Sequence, residues 1–116
     1  MLKIAFDLIK IDLGENVMIG KPYLYGFGRC LAPPYWNFIK MTVCNRLYVI
    51  YGGSGWYWEG GTEHQFLPGH LYLFPHKVEF RVRQLNTDPL DHMYFDFSVT
   101  PPISSDHITA IDLTAH

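Results

Sequence analysis

The sequence predicts an all-β fold of short antiparallel strands, and three observations predict it. Ten glycines and eight prolines are spread along 116 residues as punctuation rather than gathered in one linker. Between them lie short β-branched and aromatic runs, the pattern of strands joined by turns. No segment longer than about 10 residues has a helical period, while candidate strands recur roughly every 8–12 residues, the spacing of a sandwich or small barrel.

The elements follow in order. Tyr23, Tyr25 and Phe27 alternate with Leu24, Gly26 and Gly28, which predicts a strand. Residues 47–51 are continuously apolar, and Gly52-Gly53-Ser54-Gly55 then turns the chain. Trp56-Tyr57-Trp58 predicts the next strand. Gly60-Gly61 follows it as a two-residue hairpin turn, because both positions tolerate positive φ. Residues 63–67 lead to a Pro68-Gly69 turn, and residues 70–74 form a strand ended by Pro75. Phe80 and Val82 alternate with Arg81 and Arg83, a half-exposed strand. Residues 86–91 make a polar loop around Pro89, and residues 92–99 a last strong strand, stopped by Pro101-Pro102. There is no internal repeat and no low-complexity tract.

Composition narrows the function. A 48% hydrophobic content suffices for one core, so residues 1–116 read as a single domain. Charged residues reach 17%, below the usual share of about 25%. No apolar run approaches the ~20 residues of a membrane helix, and the N-terminus, which carries Asp7, does not resemble a signal peptide. A net charge of −2 argues against a basic nucleic-acid binder. Cys30 and Cys44 are too few for a disulfide scaffold and suit reduced thiols in the cytoplasm. Residues 1–58 are net positive and residues 59–116 net negative, and all six histidines lie in the second half. The 43 residues from Asn16 to Trp58 contain no Asp, Glu or His. That stretch offers no ordinary side-chain general base and no hard metal ligand. No Ser-His-acid pattern, P-loop or dinucleotide fingerprint is present; the Gly-Gly-Ser-Gly turn is a hairpin, since no helix follows it.

A strand ending in Gly-Ser-Gly, then LPGHLYLFP (residues 67–75), then HMYFDF (residues 92–97) after a loop, together form a recognisable series. Residues 46–97 resemble the N-terminal effector-binding domain of AraC-type transcriptional regulators. The resemblance implies a cupin-like double-stranded β-helix, a small jelly-roll barrel with an effector inside, and residues 1–45 fit its arm and first strands. In that family DNA is bound by a separate C-terminal helix-turn-helix domain. The chain to His116 has no such pattern, so a fragment lacking that domain is expected, with DNA contacted only through it. A homodimer remains open. The alternatives, in falling order, are a stand-alone carbohydrate-binding or dimerising cupin domain and a metal-free cupin enzyme.

Metal-binding cupins are similar in two motifs, and this sequence departs from both. The first is His-x-His, three or four residues, Glu, six residues, Gly. Set on Gly53, it puts Arg46 at the Glu and Lys40/Thr42 or Ile39/Met41 at the histidines; set on Gly55, it puts Tyr48 at the Glu. The second is Gly, five residues, Pro-x-Gly, two residues, His. Gly69 and Pro75 match it, Lys77 stands at the second Gly and Phe80 at the His. The expectation is therefore no metal, no cofactor and no catalysis, with His64, His70 and His76 as surface groups near turns.

Alternation puts His92, Tyr94 and Asp96 on one face and Met93, Phe95 and Phe97 on the other. His92 and Tyr94 match a His-x-aromatic pair that faces the sugar in arabinose-responsive relatives. The expected ligand-binding set is Tyr48, Trp56, Val82, His92 and Tyr94. The family's sugar-contacting Arg falls on Gly52, and Val82 replaces a pocket aromatic. The resemblance thus implies a small-molecule effector that is sugar-like or less polar. Plainer readings exist beside it. Tyr94, Trp56 and Trp58 suit a core or a surface lid, His92 a hydrogen-bonded strand position, and Arg81 with Arg83 a solvated face. An inward His92/Tyr94 pair also requires cover for Phe95 on the outside, from Ile4, Phe6 and Leu8 or from a second subunit. A bulge at the glycine turn would reverse the Trp56 face.

Overall fold

Gly60 and Gly61, with φ of 60° and 76°, close a tight hairpin, and most of the chain is arranged around it. The computed structural model describes residues 7, 22–41, 44–100 and 107–115. Nine strands lie among them: β1 (Tyr23–Leu31), β2 (Asn37–Met41), β3 (Asn45–Gly52), β4 (Gly55–Glu59), β5 (Thr62–Gln65), β6 (His70–Phe74), β7 (Glu79–Gln84), β8 (Asp91–Ser98) and β9 (Thr109–Asp112). One 3-10 turn, Leu113–Ala115, follows β9. The strands form two antiparallel sheets, in the orders β1-β8-β3-β6-β9 and β2-β7-β4-β5. β1 pairs with β8, β2 with β7, β3 with β6 and β4 with β5. This is the pairing of one long hairpin, tipped at Gly60-Gly61 and rolled into two layers.

Neither sheet closes on itself. β1 and β2 are edges of their respective sheets and each pairs with one strand among the described residues. Among the described residues the sandwich is open between these two strands.

The central strands of the larger sheet are buried on both faces, while edge strand β1 exposes Tyr23, Tyr25, Phe27 and Leu31. Between the sheets, Tyr48, Ile50, Tyr72, Phe74 and Leu90 pack against Tyr57, Phe66, Phe80 and Val82. On the opposite face Leu47, Val49, Leu71, Leu73, Phe95, Phe97 and Ile111 form a second cluster. Double burial explains why residues 47–51 read as one apolar run instead of alternating. The expected cover of the outer cluster, Ile4, Phe6 and Leu8, lies outside the described residues, as does the Pro101-Pro102 stop.

The Gly53 turn is fixed by close approach. Gly53 has φ 82°, and a Cβ there would lie 2.0 Å from the Pro89 carbonyl oxygen. Ser54 holds the same loop: its N–H donates to the Asp88 carbonyl at 2.9 Å and its hydroxyl to Asp88 Oδ2 at 2.7 Å. β2 and β9 were not anticipated from the sequence, and of residues 63–67, read as leading to the Pro68-Gly69 turn, 63–65 belong to β5 while the Phe66 side chain enters the core. Among the described residues no helix is long and apolar enough to cross a membrane.

Candidate functional site

β3 and β8 lie side by side, and their registers set the site. Arg46 pairs with Asp96, Tyr48 with Tyr94, and Ile50 with His92. Alternation turns these six side chains to the space between the sheets, where Val82 faces them from β7. Four of the five expected residues, Tyr48, Val82, His92 and Tyr94, are thus brought to one interior. Tyr48 and His92 are 4% and 3% exposed, and Tyr94 is half-buried.

Trp56 is a correction. Tyr57 enters the interior, so Trp56 and Trp58 point to the outer face of the smaller sheet. The cause is local: a bulge falls between Ile50 and Gly52, and the left-handed Gly53 follows it. The alternation of β3 is therefore not carried through the turn into β4. Trp56 instead lies under Arg83, whose Cζ is 4.3 Å from the ring centroid.

The His92 imidazole sits among rings. Its centroid is 4.8 Å from Tyr48 and 5.7 Å from Trp36. Nδ1 lies 3.2 Å from the Leu90 carbonyl oxygen. A proton on Nδ1 donates there and leaves Nε2 as an acceptor. Burial pushes the imidazole below its ordinary pKa, against the opposing pull of the Leu90 carbonyl and Asp91. Burial also pushes the Tyr48 hydroxyl up to about 12, although nearby Arg46 acts in the other direction.

Arg46 and Asp96 close one end of this face. Arg46 Nε donates to Asp96 Oδ1 at 2.7 Å and Nη2 to Oδ2 at 3.1 Å, a two-pronged ion pair. Burial opposes the charge on Arg46, but hydrogen bonding to Asp96 and the neighbouring Tyr48 outweigh it and raise its pKa. Beside this pair β1 carries glycine. A Cβ at Gly28 would touch the Tyr94 ring at 3.4 Å, and one at Gly26 would meet nothing within 4 Å. Gly26 stands opposite Asp96 in the ladder. Among the described residues, open space thus remains at Gly26, opposite Asp96.

Two residues here escaped the sequence reading. Trp36 and Phe38 pack against the interior cluster, with ring centroids 5.3 Å apart. Trp36 follows a turn in which Tyr35 has φ 64°, and no periodicity marks it. His64, His70 and His76 are half-buried near strand ends; His64 stacks on Tyr57 at 5.3 Å, and His70 Nδ1 lies 3.2 Å from the Pro68 carbonyl oxygen. Among the described residues no three His, Cys, Asp or Glu side chains converge as a metal site. No family model matches the chain, and no curated protein is similar to it beyond chance.

Proposed function

We propose that the chain is a sensing module that takes a small, sugar-like or less polar molecule at the open side of its interior. The observation that carries this reading is the joining of Tyr48, His92 and Tyr94 with the Arg46–Asp96 pair beside the open space at Gly26. Aromatic faces take the apolar side of such a ligand, and a few fixed polar groups orient it. The neutral His92 Nε2 adds an acceptor.

The wider proposal is the effector domain of an AraC-type transcription regulator with a cupin-like jelly roll, acting in the cytoplasm and contacting DNA through another domain. The rolled-hairpin pairing of eight strands supports the jelly roll. Lys77 supports the cupin turn: it stands where the resembling motif has glycine, and its φ is 57°, in the left-handed region. Exposed Tyr23, Phe27 and Leu31 on edge strand β1 supply the surface that a homodimer would bury.

A thermal-shift screen of pentoses, hexoses and small aromatics tests the binding reading. A ligand at 100 times its Kd adds about 2.7 kcal/mol of stability. Tyr94→Ala should abolish the shift while the protein remains folded. A shift that survives Tyr94→Ala, or a panel in which no compound stabilises the chain, refutes the assignment.

A further inference from the structure

β1 is the longest strand among the described residues, and it lies at a sheet edge. It spans nine residues, while the edge strands β2, β5 and β9 have five, four and four. Edge strands are ordinarily short or guarded by lysine or proline, because an unpaired backbone recruits another strand. β1 contains neither residue, and its Tyr23, Tyr25, Phe27 and Leu31 are each at least 63% exposed. Its one charge, on Arg29, is held by Asp91 through two hydrogen bonds of 3.1 and 2.8 Å.

The ladder decides which groups face outward. The Ala32 N–H donates to the Leu90 carbonyl at 2.9 Å, and the register continues as Cys30 with His92 and Gly28 with Tyr94. Antiparallel rows alternate between bonded and unbonded pairs. Gly28 and Cys30 therefore bond to β8, and Phe27, Arg29 and Leu31 turn their N–H and C=O groups to the open edge. The side chains sort in the same way. Phe27 stands opposite Phe95 and stacks on it with centroids 6.4 Å apart, so Phe27, Arg29 and Leu31 share the outer face. Gly26, Gly28 and Cys30 share the inner face, opposite Asp96, Tyr94 and His92.

We propose that β1 pairs antiparallel with β1 of a second copy about a two-fold axis at Gly28, joining the two larger sheets into one. The inference rests on the homodimer reading above and goes beyond it in naming strand, register and axis. Centred on Arg29, such a pairing would set guanidinium against guanidinium, which is unfavourable. Centred on Phe27, it would run almost at once into the bulge between Leu24 and Gly26. Centred on Gly28, it keeps the regular stretch from Gly26 to Cys30 in register on both copies. Phe27 then faces Arg29 of the second copy, a ring against a cation, and the two residues exchange both backbone bonds. On the inner face glycine meets glycine at the axis, and Gly26 meets Cys30 of the second copy, so no bulky side chain obstructs the approach. A foreign strand would have to supply an aromatic ring opposite Arg29 and small residues opposite Gly28; the second copy already does. The exposed aromatic and leucine side chains offer roughly 500 Å² per copy, and two copies reach the ~1,000 Å² total of a specific interface. Tyr94 lies against Gly28, so each interior site then abuts the axis.

Sedimentation equilibrium of the whole chain and disulfide trapping test the pairing. A dimer is expected at micromolar concentration. Phe27→Lys should weaken it at least tenfold, and Phe27→Glu, which also loses the ring but faces the same guanidinium, should weaken it less. A Cβ at Gly26 meets nothing within 4 Å. Gly26→Cys should therefore fold and, under mild oxidation, cross-link to the half-buried Cys30 of the second copy. Gly26→Cys combined with Cys30→Ser should not cross-link, and circular dichroism checks that each variant is folded. A monomer, equal weakening by Phe27→Lys and Phe27→Glu, a dimer that Gly26→Cys fails to trap, or a cross-link that survives Cys30→Ser overturns the proposal. Ligand-induced thermal shifts are scored separately on the same protein. A monomer that still shows a shift overturns the pairing alone, whereas a trapped dimer without one supports the pairing and fails only the sensing reading.

Discussion

Gln84 should be one of the most costly polar residues to replace. It ends β7 and is 8% exposed. Its Nε2 donates to the carbonyls of Ala32 at 3.2 Å and Pro33 at 2.7 Å, and its Oε1 accepts the Leu90 N–H at 3.0 Å. One side chain thus ties the link between β1 and β2, the end of β7 and the approach to β8. Gln84→Met keeps the length but removes all three bonds, and it leaves the Leu90 N–H without a partner in a fully buried residue. Summing modest net bond energies with the penalty for an orphaned buried donor gives a loss of about 2–4 kcal/mol. At roughly 4 °C per kcal/mol for a domain of this size, Tm should fall by about 8–16 °C. Gln84→Glu separates shape from bonding. Its carboxylate would face two carbonyl oxygens, so burial and repulsion raise its folded pKa. A raised acid contributes its stability below the unfolded value and loses it as pH rises. This variant should therefore weaken between about pH 4 and 7, above the ordinary Glu value of ~4.3. Urea unfolding followed by tryptophan fluorescence measures both variants. A Gln84→Met protein within about 0.5 kcal/mol of the parent, the scatter of a neutral surface change, or a pH-indifferent Gln84→Glu, refutes the reasoning.

Two further outcomes follow from the doubly buried sheet. Phe95 is 5% exposed on the outer cluster even though its neighbours His92 and Tyr94 face inward, so Phe95→Ala should cost about 3–5 kcal/mol in urea unfolding; a loss under about 1 kcal/mol would mean that the outer face is solvated. His92 has its folded pKa lowered by burial, so the unfolded chain binds the proton first and stability falls as pH drops below about 6.5. His92→Gln should flatten the stability curve between about pH 6.5 and 5, and an unchanged slope there would assign the effect elsewhere. Glu63 and Asp91, held low by Arg83 and Arg29, act in a more acidic window.

What the sequence disclosed depended on how cleanly each strand separates two environments. Phe80 and Val82 alternate with Arg81 and Arg83 because β7 has one wet face, and their burial follows that pattern. In β8 the polar members His92 and Asp96 mark the inward face, although both faces are covered. β3 lost its marking because both faces are apolar, and its parity could not be carried across a bulge into β4, which sent Trp56 to the wrong side. β2 and β9 are short edge strands of their sheets, five and four residues long. Trp36 reaches the interior from a turn, where no periodic rule applies.

Arg46 carries the last step. By the resemblance it stands where metal-binding cupins place a glutamate, and taken alone it reads only as a missing ligand. In the fold it is joined to Asp96 across the β3–β8 ladder. The pair has no net charge, so the end of the interior presents neither an anion that gathers a cation nor a bare guanidinium that demands a carboxylate. What remains is a fixed dipole beside Tyr94, with a neutral imidazole farther along β8. A dipole among aromatic rings favours ligands with hydroxyl groups and no formal charge. Charged effectors would have to displace Asp96 or leave an ion without its partner, and the desolvation of a buried charge opposes both. The chemistry of the site thus argues for uncharged polyols and phenols ahead of acids or amines.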